Sequence, residues 1–293
     1  MAVAESRLDG VLPVDKPAGP TSHDIVAMAR RKLGVRRVGH TGTLDPFASG
    51  LLLLCLGQAT RIAEYLTGLD KRYLATVRLG TATDTDDLTG AILASADAAG
   101  IGSHDVEAAL AGLRGTVLQM PPQYSAKKVA GERAYTAARQ GREVNLRQAA
   151  VTIHELSLIE FRPPDADIEV LCSSGTYIRA IARDVGTALG VGAHLTALRR
   201  TAIGSYDVNS AVVPEDFDHA AATAAAIIPT VTALPHLPRV FLEAGQVEDV
   251  RHGRAVHVAA APDAPVVLAA AASQAVAIGA CAAGVFRPRK VFQ

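Results

Sequence analysis

The period of the apolar positions changes several times along the chain, and each change marks an element. Gly10 to Val14 reads as a strand leading into the Asp15-Lys16-Pro17 loop. Thr21 or Ser22 can cap a helix through about Leu33, with Ile25, Met28, Ala29 and Leu33 on one face and Gly34 as terminator. A glycine-dense loop follows from Val38 to Gly50, and Leu51 to Leu56 is a continuous apolar run, the pattern of a buried strand. Thr60 to Leu66 reads as helical. Tyr73, Ala75, Val77 and Leu79 alternate with polar positions, predicting a strand that ends at Gly80. Ser103 can cap a helix carrying Val106, Ala109, Leu110 and Leu113.

Residues 121–150 have little apolar periodicity and read as an excursion from the core. Strands resume near Val151–Leu158 and Ile168–Cys172. The Ser173-Ser174-Gly175-Thr176 turn then opens a helix with Ile178, Ile181, Ala182, Val185 and Leu189 inward. Pro214, Pro229, Pro235 and Pro238 punctuate an Ala-rich region, and the last fifty-odd residues read as short strands. Pro265 to Phe286 lacks charge but is mostly Ala and Gly, too weakly hydrophobic for a membrane span. It predicts two short buried strands with a turn near Ser273. Strands and helices mix without regular βαβ alternation, so the expected class is α+β. The expected division is 1–234, with 121–150 as an insertion, and a small β-rich module at 235–293.

Composition changes this picture in two places. With 49% hydrophobic residues among 293, a sizeable core is available and global disorder is excluded. Aromatics are only 4% and Trp is absent, so a Tyr inside a polar motif carries weight. The formal net charge of zero gives no overall sign of a nucleic-acid partner, but the charge is segregated. Lys127, Lys128, Arg133, Arg139, Arg142 and Arg147 crowd the excursion, and Arg30, Arg31, Lys32, Arg36 and Arg37 form a second cluster. Gly80 to Leu110 carries acids and no Lys or Arg. Cys55, Cys172 and Cys281 lie far apart, which fits buried thiols in a reducing cytoplasm and gives neither a disulfide framework nor a zinc site. His194, His252 and His257 read as structural or surface histidines.

The segment richest in chemistry is Arg37-Val-Gly-His-Thr-Gly-Thr-Leu-Asp-Pro46. Pro46 biases Asp45 toward an extended backbone, so its carboxylate projects from a loop beside His40, Thr41 and Thr43. Lys71-Arg72-Tyr73 sets an aromatic ring at a strand start, and Gly175-Thr176-Tyr177-Ile178-Arg179 sets a Tyr and an Arg in the first turn of a helix. A cation there opposes the helix dipole at a cost of about 0.3–1 kcal/mol. A nearby carboxylate offsets that cost, and Asp45 is the candidate.

The loop GHTGTLDP, the segment VLPVDKPAGPTSHD, the run KRYLATVRLGTATDTDDLTG and the turn CSSGTYIRAIARDVG together resemble the TruB family, the bacterial tRNA pseudouridine-55 synthases. PPQYSAKKVAGERAYTAARQG and a tail ending RPRKVF match in order and spacing, so the resemblance covers nearly the whole chain. The tail resembles the shorter actinobacterial type. The resemblance implies a pseudouridine synthase fold, with a mixed, largely antiparallel central sheet and flanking helices. It also implies a thumb-like basic insertion and a reduced, PUA-like RNA-binding domain at the end. Asp45 then matches the catalytic aspartate, Tyr73 the tyrosine that stacks on the target base and takes part in proton transfer, and Arg179 the arginine paired with the aspartate. His40, Tyr177, Leu198 and Lys16 match substrate-contacting positions, while Lys127, Lys128, Arg133, Arg139 and Arg142 would meet the RNA backbone. The implied partner is the T-arm of tRNA, with no cofactor, no metal and no membrane, and a cytoplasmic monomer is expected.

The chemistry agrees with these residue types. Isomerising uridine breaks the bond from ribose C1′ to uracil N1 and rejoins the base through C5, with nothing entering or leaving. A carboxylate can attack C6 of the base or C1′ of the sugar, and both routes stay open. The base must first be extruded from a paired stem, at a cost of a few kcal/mol, offset by stacking on an aromatic. Three other readings remain: a carboxylate hydrolase using Asp45 with Asp84, Asp86 or Asp87; an RNA-folding protein whose catalysis is secondary; and a metal loop at Asp84. The last is weakest, since a calcium-loop register from Asp84 needs glycine where Thr89 stands and glutamate where Ser95 stands.

Overall fold

The computed structural model describes residues 8–124, 128–129, 132–133, 146–259 and 262–292; of Lys128, Val129, Glu132, Arg133 and Ala220 only the backbone is described. The strands in chain order are β1 (Gly10–Lys16), β2 (Val38–His40), β3 (Ser49–Leu56), β4 (Lys71–Leu79), β5 (Thr81–Thr83), β6 (Ile92–Ser95), β7 (Gly115–Gln119), β8 (Lys128–Val129) and β9 (Glu132–Arg133). They continue with β10 (Ala149–Arg162), β11 (Asp165–Cys172), β12 (Ala193–Ile203), β13 (Tyr206–Asp207), β14 (Arg239–Phe241), β15 (Val256–His257), β16 (Ala264–Ala271), β17 (Gln274–Ala282) and β18 (Val285–Val291). The helices are α1 (Ser22–Leu33), α2 (Ala63–Thr67), α3 (Ser103–Ala111), α4 (Ile178–Ala188), α5 (Ala220–Ala226) and α6 (Ala244–Arg251).

Among the described residues nine strands form one sheet in the order β1-β3-β12-β4-β11-β10-β7, with β2 paired to β3 and β13 to β12. All its pairings are antiparallel except β3 with β12. A second sheet, β14-β16-β17-β18-β15, closes the chain. The class is therefore α+β, with a mixed and largely antiparallel central sheet.

Local sequence accounts for the elements that matter to the site. The Thr21 hydroxyl accepts the Asp24 N–H at 3.1 Å while the Asp24 carboxylate accepts the Thr21 N–H at 2.8 Å, a reciprocal cap that starts α1. Gly34, at φ 65°, ends it. β3 is apolar throughout because both its faces are covered. Leu52, Leu54 and Leu56 pack against Ile25 and Val26 of α1, and Leu51, Leu53 and Cys55 face a cluster that includes Leu268, Ile278 and Phe292 of the second sheet. The second sheet is thus docked on the first through a shared apolar core. The run from Pro265 to Phe286 forms the antiparallel pair β16–β17 and enters β18. Among the described residues no helix is long and apolar enough to cross a membrane.

Four elements differ from the sequence expectation. β12, the strand joining the two halves of the main sheet, lacks regular alternation because its pairing with β4 shifts register near Leu195 and again near Arg200. Ser103 does not cap α3: it is the first helical residue, and Asp105 takes the Gly102 N–H at 2.8 Å. The stretch expected as a helix from Thr60 is a 3₁₀ turn, Gly57–Ile62, that passes into α2. The tail also holds a helix, α6, among its strands.

Candidate active site

The loop between β2 and β3 carries Asp45 and is pinned from several sides. The Ser22 hydroxyl, buried at the start of α1, accepts the Leu44 N–H at 2.8 Å and donates to the Leu44 carbonyl at 3.2 Å. Thr41 N–H donates to Leu53 O at 3.2 Å, and Gly19 N–H to Pro46 O at 2.8 Å. Beneath the loop Lys16 is fully buried, its ammonium donating to the carbonyls of Pro17 and Pro20 at 2.8 Å each and of Pro46 at 3.4 Å. Burial pulls the Lys16 pKa down to about 8, against the opposing pull of Asp45.

Arg179 reaches Asp45 from the first turn of α4. Its Nε lies 3.0 Å from Asp45 Oδ2 and its Nη2 3.3 Å from Oδ1, a two-pronged pair. The guanidinium is 5% exposed and every other arm is engaged: Nη1 contacts the Thr85 carbonyl at 2.9 Å and Asp87 Oδ2 at 3.4 Å, and Nη2 the Tyr124 carbonyl at 2.8 Å. Asp87 is fixed in turn by the Thr85 hydroxyl at 2.8 Å and the Thr89 N–H at 2.9 Å. Burial pushes the Asp45 carboxyl above its ordinary value; Arg179 opposes this and Asp87 adds to it. A third of the Asp45 side chain remains exposed, which leaves it open to a reactant.

Asp45 and Arg179 open on a cavity of about 430 Å³, also lined by Thr41, Gly42, Lys71, Tyr73, Tyr177, Leu198 and Arg200. That volume lies within the range of small-molecule sites. Tyr73 is inward on β4 and 7% exposed, and burial raises its phenol pKa while the positive charge of Arg200 opposes the rise. Tyr177 immediately precedes α4. Its N–H donates to Gln119 Oε1 at 2.8 Å and its carbonyl accepts from Gln119 Nε2 at 3.1 Å, so one buried amide at the end of β7 holds the turn that delivers Arg179. Leu198 supplies an apolar surface from β12.

Asp45, Tyr73, Tyr177, Arg179 and Leu198, from four separate segments, thus meet at one cavity. His40 stands at the end of β2 outside the lining, its Nδ1 accepting the Gly42 N–H at 3.3 Å. Lys16 departs from its expected position: it faces the loop carbonyls rather than the cavity, because a buried ammonium takes the acceptors nearest to it. Lys127, Arg139 and Arg142 lie outside the described residues, and Lys128 and Arg133 are described only as backbone pairing β8 with β9.

Sequence reading missed Arg200, Lys71 and Gln119. Period-2 spacing from Tyr73 puts Lys71 on the inward face of β4, so a signal for it existed. Arg200 was hidden by the irregular register of β12, where its neighbour Arg199 turns outward to pair with Asp15 at 2.7 Å. The acidic loop also has a definite use. Asp87 holds Arg179, Asp86 holds Arg183 at 3.1 Å, and Asp84 accepts the Ala91 N–H at 2.8 Å. None of the three lines the cavity, which removes the acid partner that a hydrolase would need.

Comparison with known proteins places the chain in a family. Residues 30–178 match the model of the TruB family pseudouridylate synthase N-terminal domain, and residues 179–234 that of the tRNA pseudouridylate synthase B C-terminal domain. The chain is 47% identical over 253 residues to tRNA pseudouridine synthase B of Symbiobacterium thermophilum, covering 85% of this chain and 84% of that one. It is 52% identical over 206 residues to the protein of the same name from Mycobacterium avium, covering 69% and 67%. Among solved structures it resembles a chain of the archaeal box H/ACA sRNP Nop10–Cbf5 complex, with a TM-score of 0.74 at 25% identity, covering 98% of this chain and 87% of that one. It also resembles a chain of an H/ACA RNP bound to a substrate RNA containing 2′-deoxyuridine, with a TM-score of 0.76 at 25% identity, covering 98% and 86%.

Proposed function

The chain belongs to the TruB family of pseudouridylate synthases and is an enzyme that makes pseudouridine in tRNA; from that premise we propose that its target is uridine 55 of the T-arm and that Asp45 is the nucleophile. The observation that carries the proposal is the convergence of Asp45, Arg179 and Tyr73 on one cavity.

In this reading the target nucleotide leaves its stem and enters the cavity, where the Tyr73 ring stacks on the base and Leu198 bounds it. His40, just outside, fills the space the base vacates. Arg179 holds both carboxylate oxygens, orienting Asp45 and favouring its ionised form against the burial that disfavours it. Attack by Asp45 on C6 or on C1′ then frees the base to turn. Lys127, Lys128, Arg133, Arg139 and Arg142 contact phosphates and position the arm without reading sequence. Residues 1–234 act as the catalytic unit, and the sheet within 235–293 serves as a PUA-like RNA-binding module. Monomeric action in the cytoplasm follows the same reading.

Mapping pseudouridine on an unmodified tRNA transcript treated with purified protein tests this. Wild type should modify position 55, and Asp45→Asn should lower the single-turnover rate by at least about 10⁴-fold while tRNA still binds. Modification elsewhere would overturn the target, and near-wild-type turnover by Asp45→Asn would overturn the nucleophile.

A further inference from the structure

The cavity lining also holds two buried cations that the mechanism above leaves unused. Arg200 is 1% exposed and Lys71 is 6% exposed, and both line the cavity. Arg200 donates from Nε to the Leu51 carbonyl at 2.7 Å and from Nη2 to the Gly42 carbonyl at 3.1 Å. Lys71 donates to the carbonyls of Thr67, at 2.8 Å, and Leu69. Among the described residues neither has a carboxylate partner. Their neighbours satisfy hydrogen bonds without pairing the charge; each cation repels the other, and the more distant Asp70 offsets this only in part for Lys71. In the same lining the buried Thr41 hydroxyl has no hydrogen-bond partner among the described residues.

Burying like charges side by side is unfavourable unless an opposite charge arrives, and such arrangements concentrate at functional sites. Three features of one lining therefore call for an anionic, hydrogen-bond-accepting group inside the cavity. A backbone phosphate is a poor match, because it is strongly hydrated and belongs to the exposed strand of the RNA, whereas both cations are almost fully buried. The base itself is the group that goes deepest.

We propose that Lys71 and Arg200, with the Thr41 hydroxyl, stabilise the negative charge that collects on the uracil ring during the reaction. This rests on the assignment of the cavity to a flipped uridine. The electron balance holds for either branch. If Asp45 attacks C1′, the C1′–N1 bond breaks and its electron pair stays on the base, spread over N1, O2 and O4. If Asp45 attacks C6, the C5–C6 π pair moves onto C5 and O4. In both cases a neutral ring becomes anionic while the Asp45 carboxylate loses its charge in the new ester bond. The charge moves from the side chain held by Arg179 to the ring met by Lys71 and Arg200. In the C6 branch the C1′–N1 bond breaks next, its pair staying on N1; in both branches C5 then bonds to C1′, the Asp45 carboxylate leaves, the C5 proton is lost and N1 takes one up, so the ring ends neutral and the carboxylate is restored.

The test uses the full-length protein and an unmodified tRNA transcript under single-turnover conditions, with tRNA Kd measured separately. Lys71→Met should slow conversion of the target uridine by about 10²-fold with Kd little changed, and Lys71→Arg should retain most of the rate. The decisive arm replaces the target by 5-fluorouridine, whose base is more acidic and needs less help to carry negative charge; because its C5 bears fluorine and no proton, the rate on both substrates is read as loss of the starting N1-linked nucleotide. The deficit of Lys71→Met should shrink by about tenfold on that substrate. Lys71→Gln keeps a donor for the helix-end carbonyls without the charge, and is read the same way should the methionine variant fail to fold. An equal deficit on both bases would mean that Lys71 is only a structural clamp on those carbonyls. A loss confined to Kd would mean that it holds a phosphate. Either result overturns the proposal. If wild type itself leaves uridine unmodified, the cavity assignment falls; if wild type works and the Lys71 variants match it, only this inference falls.

Discussion

Arg179 and Arg200 are both buried, both line the same cavity, and are neutralised in opposite ways. Arg179 lies between two carboxylates, Asp45 at 3.0 Å and Asp87 at 3.4 Å. Arg200 has carbonyls and a phenol around it and no acid among the described residues. The first wall is electrostatically complete before any substrate arrives, so it can hold a nucleophile in a fixed orientation. The second is incomplete, so it can respond to charge that appears later. Within one cavity the chain separates keeping a charge in place from receiving one.

The largest expected effect comes from breaking the complete wall. Arg179→Met leaves Asp45 and Asp87 as neighbouring buried acids, so the single-turnover rate on tRNA should fall by about 10²- to 10³-fold. A tenfold loss or less would show that the pair orients little. Next comes a change aimed at the other wall. Gly50, at φ 102°, pairs with Arg200, and an added Cβ would sit 2.2 Å from the Arg200 carbonyl oxygen. Gly50→Ala should therefore force β12 away from β3, lowering unfolding free energy by about 1–3 kcal/mol in a urea titration. The Asp45–Arg179 geometry should survive in its crystal structure. Unchanged stability would mean that the sheet absorbs the shift elsewhere.

The smallest effect is a shift along the pH axis. In the proposed mechanism Asp45 acts as an anion, and burial raises its pKa, so activity should be full at neutral pH. It should be lost, as pH falls, above the range of an ordinary aspartate. Asp87 adds to that rise, so Asp87→Asn should move the acid limb of the rate profile to lower pH. Movement to higher pH would show that Asp87 acts on Asp45 only by holding Arg179.

Much of the architecture was readable because it follows from short-range rules. Thr21 and Gly34 bracket α1, alternation from Tyr73 to Leu79 marks β4, and the unbroken run from Leu51 marks a strand covered on both faces. Asp45 and Arg179 stood out in tight, glycine-bearing motifs, and Tyr73 as a scarce aromatic in a polar motif at a strand start. β12 was not legible, since two register shifts and an inward arginine erase its period. The fate of Lys16 was not legible either, because its motif shows a charge but not which carbonyls surround it.

The sequence alone determined where strands and helices form and which side chains carry reactive chemistry, since both depend on neighbours a few residues away. The tertiary structure decided which charges meet. Asp45 and Arg179 lie 134 residues apart, and Leu51 and Arg200 lie 149 apart. Coulomb and hydrogen-bond energies depend on distance in space and on local burial, and no local pattern along a chain encodes either quantity.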